Sequence, residues 1–177
     1  MKVIHLTSVH HRDDTRIFLK QCRSLAAVGY QVTLVVADGQ GDETRDGVAI
    51  VDVGKPYGRV NRMLHTTRQV LARARALNAD IYHLHDPELL PAGLALKRDG
   101  KRVIFDSHED VPRQMLTKPY IHPLLRRGVS IAVSSVERSV LRRLDAVVAA
   151  TPAIAKTFMA LNVPVVNINN YPLLGEL

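Results

Sequence analysis

Tryptophan is missing from this 177-residue chain, aromatic residues reach only 5%, and cysteine occurs once. Each shortage excludes something. Proteins that grip single-stranded nucleic acid stack its bases on aromatic rings, so no nucleic-acid partner is expected. A lone thiol, Cys22, cannot form an internal disulfide, which suits a reducing, cytoplasmic compartment. No apolar run approaches the ~20 residues that cross a bilayer. The opening residues Met1 to Thr7 are too short and too soon interrupted to be a secretion signal. Glycine is absent from Ser8 to Arg16, where a dinucleotide-binding turn or a Walker A loop would need it. This argues against an NAD-dependent enzyme or a P-loop NTPase. There is no G-x-S-x-G elbow, and Cys22 falls on an apolar helical face, where it fits a core role rather than a nucleophile.

What is present is ordinary globular material, 46% hydrophobic and 23% charged, enough for a self-sufficient core at this length. β-Branched runs recur at Lys2–Thr7, Gln31–Ala37, Val48–Val53, Asp80–His85, Arg102–Asp106, Asp145–Ala149 and Val163–Ile168. Most are continuously apolar, as strands covered on both faces are. Helical patterns separate them. Asp14 can cap a helix that places Phe18, Cys22, Leu25 and Ala26 on one side and stops at Gly29. Val60, Met63, Leu64, Thr67, Val70, Leu71 and Ala74 form one further stripe, and Leu125, Val129, Ala132, Val133, Val136, Val140 and Leu144 another. Pro152 suits the first turn of a last helix. The alternation predicts a doubly wound, Rossmann-like α/β domain with a mostly parallel seven-stranded sheet and helices on both faces.

In such sheets ligands bind beyond the carboxyl ends of the strands, so the residues after each strand carry the functional argument. After the first strand come His10, His11, Arg12, Asp13, Asp14, Thr15 and Arg16. Capping accounts for Asp14, whereas a cation in a first helical turn opposes the macrodipole, and a ligand anion would explain Arg16. After the fourth run stand His83, His85, Asp86 and Glu88. Two imidazoles two residues apart share a strand face and suggest metal ligation, but Glu88 stands where a metallohydrolase pattern would continue with histidine. No metal is therefore expected. His83 reads as a hydrogen-bonded histidine within the sheet layer, and His85, Asp86 and Glu88 as partners for a sugar hydroxyl. After the fifth run, His108 lies between Ser107 and Glu109, well placed for proton transfer or hydroxyl binding. Capping by Ser107 and Asp110 does not require it.

Read together, these loops resemble the amino-terminal domain of the family 4 glycosyltransferases, retaining enzymes of two-lobed GT-B architecture. The stretches that carry the resemblance are His10 to Ile17 with the helix ending at Gly29, Asp80 to Pro91, Asp106 to Glu109, and Asp145 to Thr151. Asn170-Tyr171-Pro172 looks like the approach to the interdomain hinge. The resemblance implies that residues 1–168 form an acceptor-side lobe and 169–177 the start of a hinge, with a donor-binding lobe elsewhere. No two glutamates lie eight positions apart, so the family's E-x7-E donor motif is not in this sequence. It further implies that His108 contacts the donor sugar and carries the catalytic role. Asp14, Arg16, His85, Asp86, Glu88 and Glu109 then serve the acceptor, and His10, His11 and Thr151 the donor, although the glycines of many relatives are missing from the first loop. A nucleotide sugar is the implied co-substrate, a glycan or lipid-linked molecule the acceptor, and no metal or other cofactor is implied. The isolated lobe is expected to be inactive.

Lysine and arginine number 24 against 17 acids, a formal charge of +7. Arg62 and Arg73 lie opposite one apolar stripe, Arg127, Arg138 and Arg142 opposite the other, and Arg113, Lys118 and Arg126 add to that region. Such a surface suits a peripheral contact with the anionic inner face of a membrane or simple solvation. Two other functions fit the residues: a non-catalytic module binding nucleotide or polysaccharide, and a metal-dependent hydrolase using His83, His85 and Asp86.

Overall fold

The computed structural model describes residues 1–172; the last five positions of the expected hinge lie outside the described residues. Strands run at β1 (Lys2–Leu6), β2 (Gln31–Val36), β3 (Glu43–Arg45), β4 (Val48–Asp52), β5 (Ile81–Leu84), β6 (Arg102–Ser107), β7 (Ala146–Ala149) and β8 (Val165–Asn167). They form one sheet in the order β3-β4-β2-β1-β5-β6-β7-β8. Every pairing is parallel except β3 with β4. The sheet therefore has eight strands where seven were expected. The additional one, Glu-Thr-Arg, is too short and too polar to show hydrophobic patterning. It forms because Asp46 and Gly47 both adopt positive φ, 51° and 76°, the two-residue turn that folds a hairpin tightly.

Alternation along the strands sorts side chains onto two faces. Ile4, Leu6, Val35, Leu84 and Phe105 pack beneath α3 (Thr67–Leu77), α4 (Leu90–Arg98) and the end of α6 (Arg126–Leu141), through Val70, Ala74, Leu96, Val140 and Leu141. Val32, Leu34, Val36 and Ile50 pack on the other face against Ile17, Phe18 and Cys22. Those three belong to a π-helical segment, Thr15–Cys22, that runs into α1 (Arg23–Ala27). As expected, Asp14 caps it by accepting from the N–H groups of Arg16 and Ile17, and Gly29 follows it with φ of 89°.

The two long apolar stripes are only half buried. Val70, Ala74, Val140 and Leu144 are in the core, whereas Val60, Met63, Leu64, Leu125 and Val136 are exposed. The carboxyl-terminal half of each stripe reaches the sheet, and its amino-terminal half does not. Short helices α2 (Gly58–Asn61), α5 (Val111–Gln114) and α7 (Pro152–Phe158) complete the fold. No helix among the described residues is long and apolar enough to cross a membrane.

Candidate functional site

Seven mutually parallel strands carry all their following loops to one edge, and a cleft opens there. Its volume is about 610 Å³, and its lining includes His10, Asp14, Arg16, His108, Glu109, Thr151 and Asn170. That falls within the ~300–1,000 Å³ typical of small-molecule sites. The lining comes from the loops after β1, β6, β7 and β8, distant in sequence and joined only by the topology.

Below the rim, Asp86 organises one side. It is buried, and its Oδ2 accepts from the Thr7 hydroxyl at 2.8 Å and the Ser8 N–H at 2.6 Å. Its Oδ1 lies 2.8 Å from Nδ1 of His10. On the far side of that ring, Nε2 of His10 lies 3.2 Å from Nε2 of His108. One proton must sit between these two nitrogens, so Asp86, His10 and His108 form a chain reaching the cleft. Burial pulls the pKa of His10 down, but its bond to Asp86 and the charges of Asp86, Asp14 and Glu109 raise it overall. Burial lowers that of His108, helped by the neighbouring imidazoles of His10 and His85 against the carboxylates of Asp106 and Asp86. When the pair takes up a proton, His10 is therefore the ring that holds it, and its Nε2–H then donates to His108. Nδ1 of His108 is buried without a partner among the described residues.

A second carboxylate, Asp106, organises the other side. Arg16 donates to it twice, Nε to Oδ2 at 2.9 Å and Nη2 to Oδ1 at 2.7 Å, and also to the Ile168 carbonyl at 3.0 Å. Nε2 of Gln21 adds a third donor at 2.6 Å, and Nδ1 of His85 lies 3.4 Å from Oδ2. Burial alone would raise the Asp106 pKa; the neighbouring imidazole of His85 and the bonds from Arg16 hold it far below the usual carboxylate range. Sequence reasoning left Arg16 awaiting a ligand anion, but its partner is internal. Asp106 was visible in the sequence as an acid at the inner end of a strand, yet it received no role.

The remaining expected residues are placed as follows. His85 and Asp86 are almost fully buried and line a smaller cavity of about 160 Å³ with His10, Asp106 and His108. Glu88 accepts from Ser8 Oγ and from Nε of Arg62, both at 2.8 Å. His11 does not line the cleft; it faces Asp13 at 3.2 Å and Asp38 at 3.9 Å. His83 is buried in the sheet layer, as expected, but its Nε2 has no hydrogen-bond partner among the described residues, where a hydrogen-bonded ring was expected; its pKa is brought down to about 3 by burial first and then by His85. Asp86 does not join His83 and His85, as a hydrolase site would require, because its oxygens are turned to Thr7, Ser8 and His10. The basic patch is partly neutralised: Arg62 pairs with Glu88, and Arg73 with Asp42 at 3.6 Å.

The sequence profile of Glycosyltransferase Family 4 matches residues 15–170. No curated protein matches the chain. Several solved structures share the fold. Sucrose-phosphate synthase from Thermosynechococcus elongatus superposes with a TM-score of 0.69 at 13% identity, covering 98% of this chain and 49% of its own. HepE from Anabaena, in complex with UDP and glucose, gives 0.65 at 13% identity, covering 99% of this chain and 46% of its own. The UDP-forming trehalose-phosphate synthase of Burkholderia vietnamiensis gives 0.58 at 14% identity, covering 90% and 42%. The chain thus spans about half the length of these proteins.

Proposed function

The chain belongs to glycosyltransferase family 4, and from that premise we propose that it forms the acceptor-side lobe of a retaining, nucleotide-sugar-dependent hexosyltransferase. The observation that carries this reading is the cleft at the carboxyl edge of the sheet, where His10, His108, Glu109, Thr151 and Asn170 meet. The structures with UDP and glucose bound, or named as UDP-forming, support a nucleoside diphosphate sugar as donor. The acceptor is a glycan or a lipid-linked molecule, and the basic helices favour work beside an anionic membrane face.

In this reading a second lobe holds the nucleotide, and closure over the cleft excludes water. The bond from the sugar C1 to the diphosphate breaks with its electron pair leaving on the diphosphate. The acceptor oxygen bonds to C1, and its proton passes to the departing diphosphate. Side chains of this lobe do not need to supply a base. His108 is neutral and held by His10, and it contacts the donor sugar as charge develops in the dry cleft. Asp14 and Glu109 border the acceptor side, while Thr151 and His10 border the donor side. Arg16, His85, Asp86 and Glu88 serve from beneath by fixing the loops. The transfer requires no metal.

The test joins residues 1–177 to a lobe carrying the E-x7-E pair and supplies a panel of nucleotide sugars with glycan and lipid-linked acceptors. Transfer by the joined protein, and none by residues 1–177 alone, is the expected result. Turnover by the short chain, or hydrolysis as the sole reaction of the joined one, would sink the reading.

A further inference from the structure

Three imidazoles stand together in the middle of the sheet, away from the cleft lining. His5 on β1 is in register with His83 on β5, and His85 follows two positions on, so all three point to one face. All are buried. The ring centroids of the three pairs are 4.8 to 5.1 Å apart, and one ligand atom from each lies within 4.8 Å of the others. Nδ1 of His5 lies 2.9 Å from Nε2 of His85. A hydrogen-bonded pair accounts for that contact alone. It leaves Nε2 of His83, beside the pair, buried without a partner among the described residues.

We propose that His5, His83 and His85 form a binding site for one divalent transition-metal ion of the zinc type. Imidazole nitrogens suit such ions, and three histidines from adjacent strands are a sufficient donor set for zinc. With metal–nitrogen distances of ~2.0–2.1 Å, ligand atoms in a tetrahedron lie about 3.3 Å apart. The closest pair here opens slightly on binding, and the widest closes by roughly 1.5 Å, which side-chain rotation can supply. An outer support is in place. Nδ1 of His85 faces Oδ2 of Asp106 at 3.4 Å without a hydrogen bond, and a small turn of the ring would make the carboxylate–imidazole contact that orients a metal-bound histidine. Gln21 donates to that same oxygen, and its Oε1 is buried without a partner, so it is a candidate for the fourth position. Arg16 is the opposing charge beside the site, and its guanidinium is engaged by Asp106 and the Ile168 carbonyl. His85 and Asp106 also line the 160 Å³ cavity beneath the cleft, so the proposed site borders on it. The ion would clamp β1 to β5, and its presence is independent of the sugar-transfer reading.

The experiment strips the purified chain with a chelator and titrates it with Zn²⁺ and with Co²⁺ as a spectroscopic substitute. One equivalent is expected to bind, with the visible absorption of a tetrahedral nitrogen site for Co²⁺ and a rise in Tm of several degrees for Zn²⁺. The side chain of His83 makes no hydrogen bond among the described residues, so His83→Gln should fold. It should bind the ions more weakly by at least the ~10–100-fold that changes around a metal site cost. His122→Gln, which alters an exposed imidazole outside the cleft, should bind as the unaltered chain does. Absence of stoichiometric binding by the unaltered chain would overturn the proposal. So would binding of equal strength in His83→Gln, since that would trace the ion to other histidines.

Discussion

Arg16 and Asp106, ninety positions apart, meet through two hydrogen bonds of 2.9 and 2.7 Å with both side chains buried. The pair pins the loop after β1 to the end of β6, beneath the cleft. Removing one member strands the other charge inside the protein, which typically costs about 3–5 kcal/mol. Arg16→Met and Asp106→Leu should each lower the unfolding free energy by roughly that amount in urea titrations. The double variant should lose less than the sum, because neither charge remains to be stranded. Additive losses would show that the two side chains do not act as a pair.

The imidazoles of His10 and His108 should part company on titration. His10 has its pKa raised by Asp86 and its neighbours once burial is outweighed, and His108 has its own lowered mainly by burial. NMR titration should find His10 charging above the ordinary imidazole value and His108 below it. A raised pKa stabilises the fold fully below the unfolded value of ~6.5, and the gain is lost as pH rises through the folded value. His10→Gln should therefore cost roughly 1–3 kcal/mol at pH 6 and much less at pH 9. A cost that does not change with pH would remove the charge from His10.

For the joined transferase, His108→Ala should lower kcat about 100-fold with little change in the stability of the lobe. The reason is that the His108 side chain is held by one contact to His10 and by no other hydrogen bond among the described residues, while the loss of a preorganised polar contact to a developing charge costs ~10²–10³ in rate. His10→Gln should lower kcat less, since glutamine keeps a donor near Nε2 of His108 but loses the charge. Equal rates for His108→Ala and the unaltered protein would leave the cleft without its central group.

Much of this fold can be read from the order of residues, because buried parallel strands announce themselves as β-branched runs and the caps at Asp14 and Gly29 have local causes. The strand Glu43–Arg45 escaped notice because three exposed polar residues carry no pattern, although Asp46-Gly47 was a hairpin signal in plain view. The exposed halves of the two apolar stripes could not be foreseen, since periodicity shows which residues share a helical face but not where the sheet ends beneath them. At the site, strand-end position points to the loops bearing His10, His108 and Glu109, and the structure brings these three to one cleft. It could not show that Arg16 turns inward to Asp106, nor that His5 completes a group with His83 and His85. Both depend on strand register, which joins residues about eighty to ninety positions apart.

Gly93 on α4 tests how closely that helix lies on the sheet. A Cβ placed there would come within 2.6 Å of Cδ1 of Leu84 and 3.4 Å of Cγ1 of Val103. Leu84 and Val103 are both fully buried, so the leucine methyl has little room to retreat. Gly93→Ala gains some helix propensity, up to ~1 kcal/mol, but overpacking of a filled core costs about 1–3 kcal/mol. The net effect should be destabilising, seen as a lower midpoint in chemical denaturation with an unchanged slope. A more stable Gly93→Ala would mean that α4 stands further from β5 and β6 than described.

Glu137 gives the sharpest dependence on pH. It is buried on α6, and its pKa is raised to about 7, first by burial and then by the charge of Asp110, against a smaller opposing effect of Arg138. A carboxyl whose folded pKa lies above its unfolded value binds its proton more tightly when folded. Its effect is thus neutral below pH ~4 and increasingly destabilising as pH rises through 7. At ~1.4 kcal/mol per unit, the full cost at pH 8 is roughly 3 kcal/mol. Glu137→Gln keeps the shape and removes the charge, so it should match the unaltered protein at pH 4 and exceed its stability by that amount at pH 8. Other groups titrate over the same range, including His10, but they do so in both proteins and cancel in the difference. A difference that stays flat between pH 4 and 8 would show that Glu137 reaches water and that α6 packs less tightly there.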